Sequence, residues 1–264
     1  MEAKKYALIT GASEGIGYEL AKLFAADGYN LVIVARHQQD LDRVATEFRS
    51  QGVEVSAISK DLFNREAVFE LCQEVDSLGV DISVLVNNAG QGMYGLFAET
   101  DIERELAIID LNVAATTILT KHFVKKMIQL GEGKILNLGS IASKTPGPWQ
   151  SVYHGTKAFI LSFSEAIRFE LKEHNIVVTA LMPGATDTDF FEKADMQESR
   201  ILDDESNLAD PADVAKDGYD ALMSGKDKVI SGFKNKAMMG MTNVLPDPTV
   251  AKMMHDQQKP SDEK

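Results

Sequence analysis

The chain is short of cysteine, of positive charge and of long apolar runs, and each shortage excludes something. Its single cysteine, Cys72, rules out an internal disulfide and fits a reducing compartment. That residue falls in the helical pattern Val68-Phe-Glu-Leu-Cys72, which reads as a core thiol and not as a nucleophile. Five histidines with no His/Cys cluster give no sign of a metal site, and none is expected. No apolar run approaches the roughly 20 residues needed to span a bilayer. The 27 Lys and Arg against 40 Asp and Glu leave a formal charge of −13, which argues against nucleic acid and anionic membrane as partners. The first strand-like run begins at Tyr6, with no room before it for a secretory signal, so a cytoplasmic protein is expected.

What is present is an alternation. With 264 residues the chain is long enough for a large core. Apolar, β-branched-rich runs at 6–10, 30–35, 53–59, 83–87, 133–138, 177–182 and 228–231 read as strands. Amphipathic helical patterns fall between them, near 16–27, 39–50, 65–77, 102–130, 153–173 and 212–224. Asn64 is placed to cap the third helix, Thr100 with Glu103 to form a capping box on the fourth, and Gly28 and Gly52 to end helices. Continuous apolar strands alternating with helices predict an α/β fold: one doubly wound, Rossmann-type domain with a mainly parallel seven-stranded sheet. The domain is expected over 1–245 and includes a substrate loop at about 185–210; residues 246–264 read as a polar, partly disordered tail that frays after Met254. Ten acidic residues against Lys193 and Arg200 between 185 and 213 read as a solvated, mobile face that could close over a ligand. Methionines 238, 239, 241, 253 and 254 read as core or interface packing.

Two patterns carry chemistry. The first strand runs into Thr10-Gly-Ala-Ser-Glu-Gly-Ile-Gly17. Glycines 11, 15 and 17, with Ser13, Glu14 and Ile16 between them, sit after a strand and open a helix. That context lets backbone approach a diphosphate and presents helix N-terminal N–H groups to it. A plain tight turn is the ordinary alternative, and the βαβ setting argues against it. The second strand ends in Ala35-Arg36, where an acid would meet a free ribose 2′-hydroxyl. With Arg36 there and the Ser13 hydroxyl nearby, NADP(H) is expected over NAD(H). The second pattern is Ser151-Val-Tyr-His-Gly-Thr-Lys157. Positions four apart share a helix face, so Tyr153 and Lys157 are neighbours. The ammonium is expected to draw the phenol pKa down from about 10 toward working pH, fitting the tyrosine for proton transfer. His154 points about 100° away around the helix and reads as structural.

Together with Asn87-Asn-Ala-Gly90 and Ser140, these patterns resemble the single-domain short-chain dehydrogenases/reductases over about residues 5 to 232. The resemblance implies that Asn88, Ala89 and Gly90 pack beside the adenosine, and that Asp61 with Leu62 meets the adenine ring. It implies that Asn112 disturbs a long helix and holds a water near Lys157, and that Ser140 bonds the substrate carbonyl. Pro183, Gly184, Thr186 and Thr188 would then close over the nicotinamide, with Thr186 standing where the family usually has an apolar residue. The implied catalytic set is Asn112, Ser140, Tyr153 and Lys157, and Tyr153 and Lys157 also touch the cofactor. The implied function is an NADP(H)-dependent oxidoreductase interconverting a small-molecule carbonyl and an alcohol, as a homodimer or homotetramer. A non-catalytic NADP(H)-binding regulator or scaffold, and an epimerase or dehydratase, are the alternatives.

Overall fold

In the computed structural model, which describes residues 5–203, 208–242 and 244–261, seven strands form one sheet. The strands are β1 (Tyr6–Thr10), β2 (Asn30–Ala35), β3 (Val55–Ser59), β4 (Ile82–Asn87), β5 (Gly133–Leu138), β6 (Ile176–Met182) and β7 (Lys228–Ile230). Their order is β3-β2-β1-β4-β5-β6-β7, and every pairing is parallel, so the sheet expected to be mainly parallel is wholly so. The order reverses between β1 and β4. That switch point opens a crevice at the carboxyl ends of the strands, where open α/β sheets place their ligands.

Burial of the central strands follows from helices on both faces. On one side lie α1 (Gly15–Ala26), α2 (Gln38–Ser50) and α8 (Pro211–Met223); Leu20, Phe24, Leu41, Phe48 and Leu222 pack on Ile9, Ile33 and Val84. On the other lie α3 (Arg65–Ser77) and α5 (Thr116–Leu130), whose Leu71, Phe123 and Met127 pack on Leu8, Val32 and Ile135. Neighbouring strand residues such as Leu8 and Ile9 therefore serve opposite cores, as the two-residue period of a strand requires. Cys72 is buried in the second core, which pushes its thiol up to about 11 and leaves it inert.

Local signals hold with two corrections. Asn64 caps α3 through the Glu66 amide, and Gly28 and Gly52 take the left-handed conformation that ends a helix. The helix α4 (Ile102–Ile109) is capped not by Thr100 but by Asp101, whose carboxylate accepts from the Glu103 amide at 3.2 Å. Asp is the equal of Ser or Thr as a cap, and it stands one residue nearer the helix. The segment expected to fray is also different. Helix α9 (Phe233–Thr242) is followed by α10 (Asp247–Gln258), which continues past Met254 and buries Val250, Met254 and Gln258, one residue from each of three successive turns. Residues 262–264 of the expected tail lie outside the described residues.

Candidate active site

The crevice holds a cavity of about 280 Å³. Its floor is the glycine loop. Gly11 and Gly15 have φ of +66° and +53°, a region costly for residues with a Cβ. A Cβ on Gly17 would lie 2.1 Å from the Gly11 carbonyl oxygen and 2.4 Å from Asn88 Nδ2, so only glycine lets helix and loop approach this closely. Glu14, at the N-cap of α1, makes no side-chain cap hydrogen bond, and the first residues of the helix, Gly15 and Ile16, line the cavity. Asn88 holds the loop from below, donating to the carbonyls of Thr10 (2.9 Å) and Gly11 (3.1 Å). These features fit a dinucleotide diphosphate at the helix N-terminus.

Most residues singled out in the sequence meet on this cavity's wall. Gly11, Ser13, Glu14, Gly15 and Ile16 supply the loop, and Arg36 and Leu62 the far end. Asn88, Ala89 and Gly90 line the middle; Ser140, Tyr153 and Lys157 the opposite end; Pro183, Gly184, Thr186 and Thr188 the roof. Gly17, Asp61 and Asn112 are not on the wall. Gly17 packs behind the loop. Asp61 is exposed and turns its carboxylate to the Phe63 amide at 3.2 Å, which leaves Phe63 and Leu62 to face the cavity. The Arg36 guanidinium lies over that same Phe63 ring, 5.5 Å from its centre.

Tyr153 and Lys157 lie on α6 (Ser151–Leu171). Lys157 Nζ donates to the Leu138 carbonyl at 2.8 Å, at the end of β5, and lies 5.7 Å from the Tyr153 ring centre. The protein packed around these groups pushes them toward their neutral forms. Burial raises the Tyr153 phenol to about 12, against an opposing hydrogen bond with Ser140, and lowers the Lys157 ammonium to about 8. The expectation that Lys157 draws the phenol down is therefore not met: removing the phenolate from water outweighs the one opposing influence, the hydrogen bond with Ser140. The phenol stays protonated at neutral pH, as a proton donor must.

Asn112 produces the expected disturbance, a π-type turn over Asp110–Ala115 between α4 and α5. Its amide oxygen accepts from the Gln91 amide (3.0 Å), and its nitrogen donates to the Gln91 carbonyl (2.9 Å) and Thr156 Oγ1 (2.9 Å). The side chain thus braces α6 against the segment leaving β4. Ser140 caps a short 3-10 turn, Ile141–Lys144, by accepting from the Ala142 amide. His154 lines the cavity beside Tyr153, and its ring nitrogens are both engaged. Nδ1 meets the Thr145 carbonyl at 2.8 Å and Nε2 meets Gln258 Nε2 at 3.2 Å, while burial lowers its pKa.

The acidic segment after Thr188 lies over the cavity. Its short helix α7 (Phe190–Lys193) sets the Phe190 ring 5.2 Å from that of Tyr153. Gln91 Nε2 and Arg104 Nη2 hold the Lys193 carbonyl, and the Tyr94 amide donates to the Ala194 carbonyl. Met196, Ile201, Met254, Gln257 and Gln258 complete the wall beyond Tyr153. The expected site set named no residue of α10, and Met254 read as core or interface packing, although Val250, Met254 and Gln258 recur at helical spacing. Among the described residues, no helix is long and apolar enough to cross a membrane, and no group of His, Cys, Asp and Glu is arranged to hold a metal ion.

The family model for short chain dehydrogenases matches residues 5–199. The chain belongs to that family. Among its relatives, a very-long-chain 3-oxoacyl-CoA reductase of Laccaria bicolor is 38% identical over 185 residues, 68% of this chain and 54% of the relative. The chain thus matches only about half of that longer protein. A 3-oxoacyl-[acyl-carrier-protein] reductase of Synechocystis is 34% identical over 187 residues, 70% of this chain and 76% of the relative. Of solved structures, a short-chain dehydrogenase from Sphingobium yanoikuyae in complex with NADPH superposes with a TM-score of 0.81 at 29% identity, covering 92% of this chain and 96% of the other.

Proposed function

We propose that this short chain dehydrogenase interconverts a carbonyl and an alcohol by hydride transfer with NADP(H), using Tyr153 as general acid and base. The observation that carries the reading is the convergence of Tyr153, Ser140 and Lys157 on one cavity with the glycine cradle. A reduced nicotinamide supplies the hydride when bound. In that direction Tyr153 gives its phenolic proton to the substrate oxygen, which Ser140 Oγ positions. Lys157, with its ammonium oriented by the Leu138 carbonyl, stabilises the phenolate that results and binds the nicotinamide ribose. Asn112 positions this end of α6. Both amide N–H groups of Asn112 are taken by Gln91 and Thr156, so a relay water beside it would donate to an Asn112 oxygen.

Cofactor choice rests on Arg36. It stands on the wall where a carboxylate would favour a free 2′-hydroxyl, and a guanidinium there, over Phe63, supports a 2′-phosphate. The wall beyond Tyr153 sets Phe190, Phe191, Met196, Ile201 and Met254 beside Gln257 and Gln258, so the substrate is a carbonyl compound with a mainly apolar body and room for a polar group. Two of the relatives are named as 3-oxoacyl reductases, which puts 3-oxoacyl thioesters beside bulky ketones in the panel. Oxidation of NADPH by that panel, followed at the nicotinamide absorbance, tests the reading. NADPH binding with no turnover of any carbonyl would favour a non-catalytic regulator.

Apolar side chains left exposed on α4 and α6 support a homodimer or homotetramer: Ile102 is 58% exposed, Phe169 72% and Phe159 39%. A cytoplasmic location is proposed from the single buried thiol and the acidic composition.

A further inference from the structure

The roof of the cavity carries one lysine. Lys193, at the end of α7, lines the cavity, and its ammonium is paired with Glu14 of the glycine loop and lies 3.6 Å from Asp189. Both carboxylates line the same cavity, next to the N-terminus of α1. A diphosphate seated there would face two like charges. The other cations of the wall are committed elsewhere. Arg36, over Phe63, is assigned above to the 2′-phosphate and Lys157, beside the Leu138 carbonyl, to the nicotinamide ribose, while Lys60 is held by Glu70 at 3.0 Å and Glu74 at 3.4 Å. Arg43 touches the loop at the Ser13 carbonyl, 3.4 Å away, but is not on the wall. The backbone of Lys193 is already anchored, since its carbonyl accepts from Gln91 Nε2 at 2.6 Å and Arg104 Nη2 at 2.7 Å. Only the flexible side chain has to move for the ammonium to change partner.

We propose that Lys193 is a cofactor-phosphate ligand supplied by the roof, exchanging Glu14 for the dinucleotide diphosphate when the cofactor binds. Glu14 is then a competitor for that ammonium, and the pair sets cofactor affinity from opposite sides. This rests on the reading that a nicotinamide dinucleotide occupies the cavity.

The test is NADPH affinity of the full chain by fluorescence titration, with no substrate present. Lys193→Met is expected to weaken NADPH about tenfold, the equivalent of about 1.4 kcal/mol. Lys193→Arg should keep most of the affinity, because the charge and reach are preserved. Glu14→Gln should tighten binding by about threefold, because it removes a like charge and frees the ammonium; the effect should shrink as salt rises. The opposite signs are decisive. If Glu14→Gln and Lys193→Met both weaken binding, the pair is only a latch holding the roof down, and the proposal is wrong. It is equally wrong if Lys193→Met binds as wild type does. Failure of the wild type to bind either NADPH or NADH would overturn the cofactor reading itself and this proposal with it.

Discussion

Replacing Lys157 by Met should make the protein more stable at neutral pH and less stable in alkali. Lys157 is 4% exposed, and burial lowers its ammonium from 10.5 to about 8. One pKa unit corresponds to about 1.4 kcal/mol, so at pH 7, below both values, keeping this charge buried costs the fold at most about 3 kcal/mol. Met fills similar volume without charge. It also leaves the Leu138 carbonyl, which Lys157 reaches at 2.8 Å, without that donor. An unmade bond of this kind costs about 1–3 kcal/mol, so the variant should gain about 1 kcal/mol at pH 7. Between about pH 8 and 10.5 the unfolded chain holds the proton that the folded chain has lost. Wild-type stability from this group therefore rises with pH across that window, and at pH 9.5 the residual penalty is only about 1 kcal/mol. There the lost bond dominates, and the variant should be the weaker by about 1 kcal/mol. For a chain of this size that is a difference in melting temperature of about 2–4 °C that reverses sign between the two pH values. Thermal unfolding of both proteins at pH 7 and pH 9.5 measures it. A difference that is the same at both would show that Lys157 is not a desolvated charge.

Three further outcomes follow from the geometry. Gly17→Ala should abolish dinucleotide binding and cost about 1–3 kcal/mol by urea unfolding, because its Cβ would meet the Gly11 carbonyl oxygen at 2.1 Å and Asn88 Nδ2 at 2.4 Å. Arg36→Asp should erase or reverse a preference for NADPH over NADH of at least about tenfold, read from the two dissociation constants. Light scattering at micromolar concentration should show a dimer or tetramer, and Phe169→Glu on the exposed face of α6 should shift it toward monomer.

Much of this was legible because it depends on local pattern. Runs such as 31–35 are apolar on both faces, which suits a doubly covered parallel sheet, and glycines 11, 15 and 17 mark a turn with no space for Cβ atoms. The remainder depends on tertiary context. Asp61 matched its expected place in sequence, yet its side chain lies off the cavity wall and accepts from the Phe63 amide, a turn that only the folded chain reveals. The direction of the Tyr153 shift is set by how much protein surrounds the phenol, and helical spacing to Lys157 says nothing about that. Helix α10 was hidden by its polar composition. Its burial rests on three residues, with Gln258 joined to His154 and its carbonyl accepting from Tyr94 and Ser199.

The central claim is that Tyr153 delivers the proton that accompanies hydride transfer. The direct measurement is single-turnover oxidation of bound NADPH by an accepted carbonyl substrate, comparing wild type with Tyr153→Phe after NADPH affinity has been measured for both. Phe keeps the ring that packs against Phe190 and removes only the hydroxyl, so affinity should stay within about twofold while the transfer rate falls by about 10²-fold or more. Transfer by Tyr153→Phe at near the wild-type rate, with affinity unchanged, would contradict the account.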